Sequence, residues 1–437
     1  MALRNSLPVA ITRTALIIPV FITGCLSIVF TQWLSLVFFK NNASTKYSMI
    51  STTKTHFSIL LGWLTALVNP CQIVITVDAK TVPHAQQYKV DSSQNLHTFL
   101  SPNSVLISNH QIYTDWLFLW FLTYTSNLSN AVFIILKDLS KLPVLGFGMK
   151  NFNFMFLSRK WEKDKVVLTN QLLEIDANAR GVGPANGVQL VSTTNKSDIK
   201  KWPVNKTQKS QQSQQSQQSQ QSQQSQQSQS VIWPYELILF PEGTVPSDRT
   251  TKKSAEFTQS KNLPPLKHVL LPRVRGLYLA LMKLRNSIEQ VYDITTAYSN
   301  LREDEYGEIK YSLKNFYLRG KGFESVNYYI RAYNIRDIPL GDENPDDIEQ
   351  VSDENLVQFE KWLLKIWYEK DQLMDNFYKT GGWQSKPGTT KTIVGSFKMK
   401  NGWEILRPFL PVSTAFLGLS LIFYFFSVLF LSRANIE

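Results

Sequence analysis

Two uncharged apolar runs, 15–39 and 409–431, bracket the rest of this 437-residue chain. The first is 25 residues long and the second 23. About 20 apolar residues are enough to cross the hydrocarbon core of a bilayer. A signal peptide has a shorter apolar core, about 7–15 residues, and a small-residue cleavage site. Residues 15–39 fit that description poorly, so both runs are read as transmembrane helices, with Pro19 tolerated near the start of the first. Mean hydropathy is only −0.16, so the body between the runs is not a bundle of spans. Lys398, Lys400 and Arg407 precede the second run and only Arg433 follows it closely. Positive-inside counting puts the body on the cytoplasmic side.

That body alternates strand-like and helix-like segments. QIVITV (72–77), SVLIS (104–108), AVFIIL (131–136), FNFMFL (152–157) and YELILF (235–240) read as strands, as do VYDITTAYS (291–299) and SVNYYIRAYNI (325–335). Residues 116 onward, 165–179, 277–284 and 356–378 read as helices, the last amphipathic and rich in Trp and Lys. Residues 57–68 are apolar but too short to span. The pattern predicts an α/β domain over 57–300 with a mixed sheet flanked by helices, followed by an extension over 301–400. From 181 to 230 the composition turns polar, and 210–230 is a Gln-Gln-Ser repeat with no core-forming side chains. This stretch is expected to be a disordered insertion that splits the domain.

Formal net charge is +12, which suggests an anionic partner: nucleic acid, an anionic membrane surface or a phosphorylated substrate. No zinc-finger spacing, RNP-like motif or long Lys/Arg block points to nucleic acid, and the two spans favour the membrane. The two cysteines, Cys25 and Cys71, cannot make a disulfide framework or a tetrahedral metal site. No metal is expected.

Two short segments follow directly on strands, where open α/β sheets carry their sites. The first is Asn109-His110-Gln111-Ile112-Tyr113-Thr114-Asp115. Histidine is the usual general base near neutrality, and a carboxylate on its other ring nitrogen fixes tautomer and orientation. Five positions on a regular helix are about 140° apart. His110 and Asp115 therefore meet only if His110 stands on the turn and Asp115 in the first helical turn. Such a spacing also recurs by chance. The second segment is Phe240-Pro241-Glu242-Gly243-Thr244. Gly243 permits close backbone approach to a ligand, and Thr244 can cap a helix whose N–H groups face an anion. Glu242 would repel a phosphate but can accept hydrogen bonds from hydroxyls. An ordinary strand-to-loop turn has the same composition.

Taken together, the segments resemble the PlsC-type glycerolipid acyltransferase family. Its four blocks occur here in order: Asn109-His110 with Asp115; Phe156-Leu157-Ser158-Arg159; Phe240-Pro241-Glu242-Gly243-Thr244; and Val269-Leu270-Leu271-Pro272. The likeness covers roughly 70–300. NHQIYTDW, LSRKWEKD, LPRVRG and VYDITTAY are similar to the lysophosphatidylinositol/lysocardiolipin branch, while the repeat between blocks two and three departs from the family pattern.

The resemblance implies that His110 is the general base and Asp115 its orienting partner. Asn109, Arg159, Glu242, Gly243, Thr244 and Pro272 would bind substrate, with Arg159 on the phosphate because a guanidinium binds it in bidentate fashion. Lys160, Lys252 and Arg273 are weaker anion contacts. It further implies acyl-CoA as co-substrate with no other cofactor, a lysophospholipid acceptor, contact with membrane lipids and none with nucleic acid. The expected location is the endoplasmic reticulum membrane, or a lipid droplet, with the site facing the cytoplasm. A 1-acylglycerol-3-phosphate acyltransferase, a CoA-independent transacylase and a non-catalytic lipid-binding scaffold remain alternatives. No G-x-S-x-G elbow supports a serine hydrolase.

Overall fold

The computed structural model describes residues 7–137, 139–157, 161–193, 198–204, 232–342, 352–384 and 388–413. The chain opens with two antiparallel helices, α1 (Leu7–Phe38) and α2 (Ala43–Val68). Strand β1 (Gln72–Asp78) follows, then a small ribbon of β2 (Lys89–Val90) and β3 (Leu96–His97), and then β4 (Ser104–Ser108). Next come α3 (Asp115–Thr125), β5 (Val132–Lys137), α4 (Leu145–Asn151), β6 (Met155–Leu157) and α5 (Trp161–Ala179). A second ribbon, β7 (Ser192–Thr193) and β8 (Lys200–Lys201), precedes β9 (Glu236–Leu239), α6 (Asp248–Ser260) and α7 (Val274–Leu284). The chain continues through β10 (Gln290–Tyr298), the short α8 (Gly307–Lys310), β11 (Ser325–Asn334), α9 (Asp353–Thr380) and β12 (Thr390–Ser396).

Eight strands form one mixed sheet in the order β12-β1-β11-β10-β4-β9-β5-β6. From β10 to β6 all pairings are parallel, while β11 runs antiparallel to β10 and β12 antiparallel to β1. The parallel strands β4 and β9 are buried along their whole length, because helices cover both faces and leave no side for polar residues. Alternate residues feed two cores. Leu106, Ile134, Ile238 and Ile294 point into one, with Phe57 and Leu60 of α2 and Phe118 and Trp120 of α3. Val105, Phe133, Leu237 and Val291 point into the other, with Leu172 of α5, Leu281 of α7 and Trp367 of α9.

The structure alters several expectations. Helix α1 begins at Leu7, eight residues before the apolar run, and takes in Arg13; the Arg13 guanidinium donates to the Leu318 carbonyl at 3.4 Å. The segment over Pro8–Phe38 is, among the described residues, the one helix long and apolar enough to cross a membrane. The apolar segment 57–68 is only the second half of α2. The helix starts at Ala43 because the Asn42 side chain caps it, accepting the Thr45 N–H at 3.0 Å. Strands β11 and β12 of the expected extension lie in the same sheet as β1, so the extension completes the domain.

The polar insertion begins as ordered structure, not as a coil. Ala185 N–H donates to the Asn178 side chain at 2.9 Å, and Arg180 donates to the carbonyls of Pro203 and Val204, each at 3.1 Å. The β7–β8 ribbon lies between them in sequence. The repeat, 210–230, lies outside the described residues, as do Arg159 and most of the second apolar run.

Candidate active site

Strand β4 ends at Ser108, and the next residues turn sharply into α3. The turn brings His110 and Asp115 together. His110 Nδ1 and Asp115 Oδ2 are 2.8 Å apart. The same Oδ2 accepts the backbone N–H groups of Gln111 at 2.5 Å and Ile112 at 3.0 Å. The Tyr298 hydroxyl, from the end of β10, donates to Oδ1. Asp115 is 1% exposed and the His110 side chain 17%, so the orienting group is sealed while the imidazole reaches the surface. With Nδ1–H committed to the carboxylate, Nε2 is the nitrogen left free to take a proton.

The FPEGT turn packs against this dyad. The Phe240 ring stacks on the His110 ring, with centroids 4.3 Å apart and planes at 20°. Gly243 has φ +70°, a conformation that favours glycine. A Cβ there would lie 3.3 Å from the Arg273 side chain. Block four abuts this turn, since Arg273 N–H donates to the Pro241 carbonyl at 2.8 Å. Pro272 is buried beside it. Exposed Arg273 is thus the described cation at the FPEGT turn.

Three expected roles need correction. Asn109 is fully buried; its amide donates to the Thr296 carbonyl at 2.9 Å and accepts the Thr296 N–H at 2.8 Å. These bonds to β10 occupy the side-chain amide and give Asn109 a role in holding the turn before His110. Glu242 is 2% exposed and accepts the His110 backbone N–H at 3.3 Å, so it braces the His110 turn from inside. Burial pushes its carboxyl well above the ordinary range; the His110 N–H and Lys370 pull it back, and Asp115 pushes it further up. Thr244 caps no helix. Ser247 caps α6 in a reciprocal capping box with Thr250, because the helix starts three residues later than the motif suggests.

Sequence reasoning found the helix α9 over 356–378 but not its contacts with the site. Asp371 accepts the N–H groups of Lys267, His268 and Val269 at 3.0, 2.7 and 3.1 Å, which anchors the segment leading to Pro272. The Gln111 side chain donates to the His268 carbonyl at 3.4 Å, linking that segment back to the His110 turn. Lys370 was legible as an anomaly. It falls on the apolar stripe Phe359-Leu363-Ile366-Trp367-Met374-Phe377, where a charge needs a buried partner. His268, Glu303 and Asp375 come within 4.8 Å of one another as possible metal ligands. The Lys267 ammonium already bridges Glu303 and Asp375 at 3.1 and 3.0 Å.

An imidazole oriented by a buried carboxylate, at the carboxyl end of the parallel strands, can take a proton from a hydroxyl, and the arginine beside the glycine turn can steady an anionic neighbour. Comparison with known proteins agrees. A family model described as Acyltransferase matches residues 87–299. The chain is 40% identical to the 2-acyl-1-lysophosphatidylinositol acyltransferase of Saccharomyces cerevisiae, across 87% of this chain and 88% of that protein. It is 28% identical to lysophosphatidylinositol acyltransferase 10 of Caenorhabditis elegans, across 64% of this chain and 54% of the relative. With lysocardiolipin acyltransferase 1 of Gallus gallus the identity is 24%, across 64% and 54%. No solved structure matches. Similarity at that level over most of both chains, with the described motif residues of blocks one and three at the carboxyl ends of β4 and β9, means that the chain is an enzyme of the acyltransferase family.

Proposed function

We propose that the chain is an acyl-CoA:lysophospholipid O-acyltransferase that remodels phospholipids, with lysophosphatidylinositol as its acceptor. The observation that carries this reading is the 2.8 Å contact between His110 Nδ1 and Asp115 Oδ2 beside the FPEGT turn. His110 Nε2 removes the proton from a free glycerol hydroxyl of the lysolipid. The oxygen attacks the thioester carbonyl carbon, and the tetrahedral intermediate collapses with cleavage of the C–S bond. The new ester stays on the lipid, and the proton passes from His110 to the departing CoA thiolate. No acyl-enzyme is formed. Asp115 stabilises the transient imidazolium and keeps the productive tautomer. Arg273, and Arg159 through the resemblance, steady the phosphate of the acceptor.

The headgroup assignment is supported by the names of the relatives from Saccharomyces cerevisiae and Caenorhabditis elegans. Helix α1 supports membrane attachment. Its apolar side chains Leu16, Ile22 and Trp33 are at least half-exposed, 62%, 50% and 51%, as lipid-facing residues are. We assign the enzyme to the endoplasmic reticulum membrane with His110 on the cytoplasmic side, where acyl-CoA is available.

The test is transfer of labelled acyl chains from acyl-CoA to a panel of lysophospholipids in microsomes, wild type against His110→Ala. Labelled phosphatidylinositol should form with wild type, and the variant should lose about 10²–10⁴ of the rate, the range that a general base contributes. Label appearing chiefly in phosphatidic acid would replace the acceptor with lysophosphatidate. Equal rates for the two proteins would remove His110 from the mechanism.

A further inference from the structure

Residues 307–321, GEIKYSLKNFYLRGK, lie beyond the residues that the family model matches. They form two short turns, α8 and a single π-helical turn over Lys314–Leu318. These turns are wedged between the helix pair α1–α2 and the turn that carries His110. On the helix side, the Thr65 and Tyr317 hydroxyls are 2.9 Å apart, the Asn69 amide donates to the Phe316 carbonyl at 2.7 Å, and the Arg13 guanidinium donates to the Leu318 carbonyl. On the catalytic side, Gly307 lies so close to the His110 turn that a Cβ would stand 2.6 Å from the Gln111 carbonyl oxygen. The Tyr113 hydroxyl donates to Glu308 at 2.8 Å.

The inner residues of the segment serve the fold. Gly307, Tyr311 and Phe316 are buried, and Phe316 packs against Phe118 and Phe323. The outer residues serve no such contact. Ile309 is 66% exposed and Leu313 54%. A single exposed leucine is ordinary on a soluble surface, but these two stand four positions apart, with exposed Tyr113 at the end of the Glu308 contact. Lys314, Arg319 and Lys321 are exposed as well, and among the described residues none of the three makes an ion pair. The segment carries Lys310, Lys314, Arg319 and Lys321 against one acidic residue, Glu308. Exposed apolar side chains flanked by cations are the make-up of a segment that lies in a membrane interface.

We propose that residues 307–321 form a second membrane contact, a lip that lies on the anionic leaflet holding α1, with Ile309 and Leu313 entering the lipid and Lys314, Arg319 and Lys321 among the lipid phosphates. This rests on the reading of α1 as the membrane attachment. A lipid surface fits the lip because the lip continues the apolar face of α1. Ile11 and Leu16, 61% and 62% exposed, stand on either side of Arg13 in sequence, and Arg13 is the residue that holds the Leu318 carbonyl. Hydrocarbon beside phosphate also matches the lip's mixture of apolar and cationic side chains. The contact of Gly307 with the Gln111 carbonyl then brings the leaflet to the edge of the His110 turn. A lysolipid passes from the leaflet to the site without its acyl chain crossing water. The lip therefore acts on capture of the acceptor and not on the chemical step.

The experiment uses the full-length protein in phosphatidylcholine vesicles, with and without phosphatidylserine. Leu313→Cys, Leu16→Cys and Val357→Cys each carry a thiol-linked fluorophore in turn; native Cys25 and Cys71 are buried. Val357, 45% exposed, is the control on α9, which packs on the opposite face of the sheet from α2. Nitroxide-bearing lipid should quench the probes at 16 and 313 but not the probe at 357. With the probe at 16 quenched, quenching at 313 no greater than at 357 overturns the proposal and leaves the surface to a protein partner. A probe at 16 that lipid does not quench is the separate signature of a failed α1 reading. In the transfer assay, Ile309→Ser combined with Leu313→Ser should raise KM for a long-chain lysolipid in vesicles about tenfold, with kcat within about twofold. KM for a water-soluble short-chain lysolipid should not change. Lys314→Glu combined with Lys321→Glu should remove the lower KM that phosphatidylserine gives the wild type. An unchanged KM in the serine pair, or an equal rise for both lysolipids, overturns the proposal.

Discussion

Asp115 has more to do than its partner. It receives the imidazole, two backbone N–H groups and the Tyr298 hydroxyl, which together spend both carboxylate oxygens. Asp115→Asn would put an amide where the His110 Nδ1–H needs an anion, and the ring would be held in the wrong tautomer. The rate should fall about 10³–10⁴-fold with abundance nearly unchanged. Tyr298→Phe removes one bond of four and should cost about tenfold, in line with a single hydrogen bond to a charged group. Both losses are read as kcat in the microsomal transfer assay; equal losses would mean that the hydroxyl matters as much as the charge. The dyad was legible because both members lie within one short segment. Tyr298 was not, because it reaches Asp115 from across the sheet and nothing in VYDITTAY marks which tyrosine turns inward. Asn109, Glu242 and Thr244 were found as motif residues but misread in role. Sequence gives a residue's type and spacing, whereas its direction depends on which strand lies behind it.

Elements show a similar division. The buried parallel strands announced themselves as apolar runs, and β4, β9 and β10 stand close to where the patterning put them. The start of α2 did not, since its first half is polar and only the Asn42 cap marks it. The polar insertion was misjudged at its leading edge, where Asn178 and Arg180 hold side-chain-to-backbone bonds that composition alone does not reveal. Its described borders, Val204 and Ile232, are 64% and 61% exposed. They open at the amino end of β9, whereas the FPEGT turn leaves from the carboxyl end. Deleting 210–230 should therefore leave acyl transfer within about twofold of wild type, as expected for an insertion at exposed termini. A dead or unstable product would mean that the tract takes part in folding or chemistry.

At the scale of the whole molecule, the sheet is not a property of the matched region alone. β11 stands between β1 and β10, and β12 covers the far edge of β1. α9 adds Phe359, Leu363, Ile366, Trp367, Met374 and Phe377 to the second core. A chain ending at residue 300 would lose all of these and bare the edges of two strands, a known route to aggregation. It should fail to accumulate in membranes and show no transfer, measured by membrane yield and by the same assay; a stable, active 1–300 fragment would contradict this. The expected boundary at 300 followed the motifs, and motifs mark chemistry and not the closure of a sheet. The position of the repeat tract has a further consequence. The slot that receives it opens at the amino end of β9, remote from His110. Chains with fewer or more Gln-Gln-Ser units are therefore expected to transfer acyl groups at the same rate, so the length of this tract can drift without the lipids registering it.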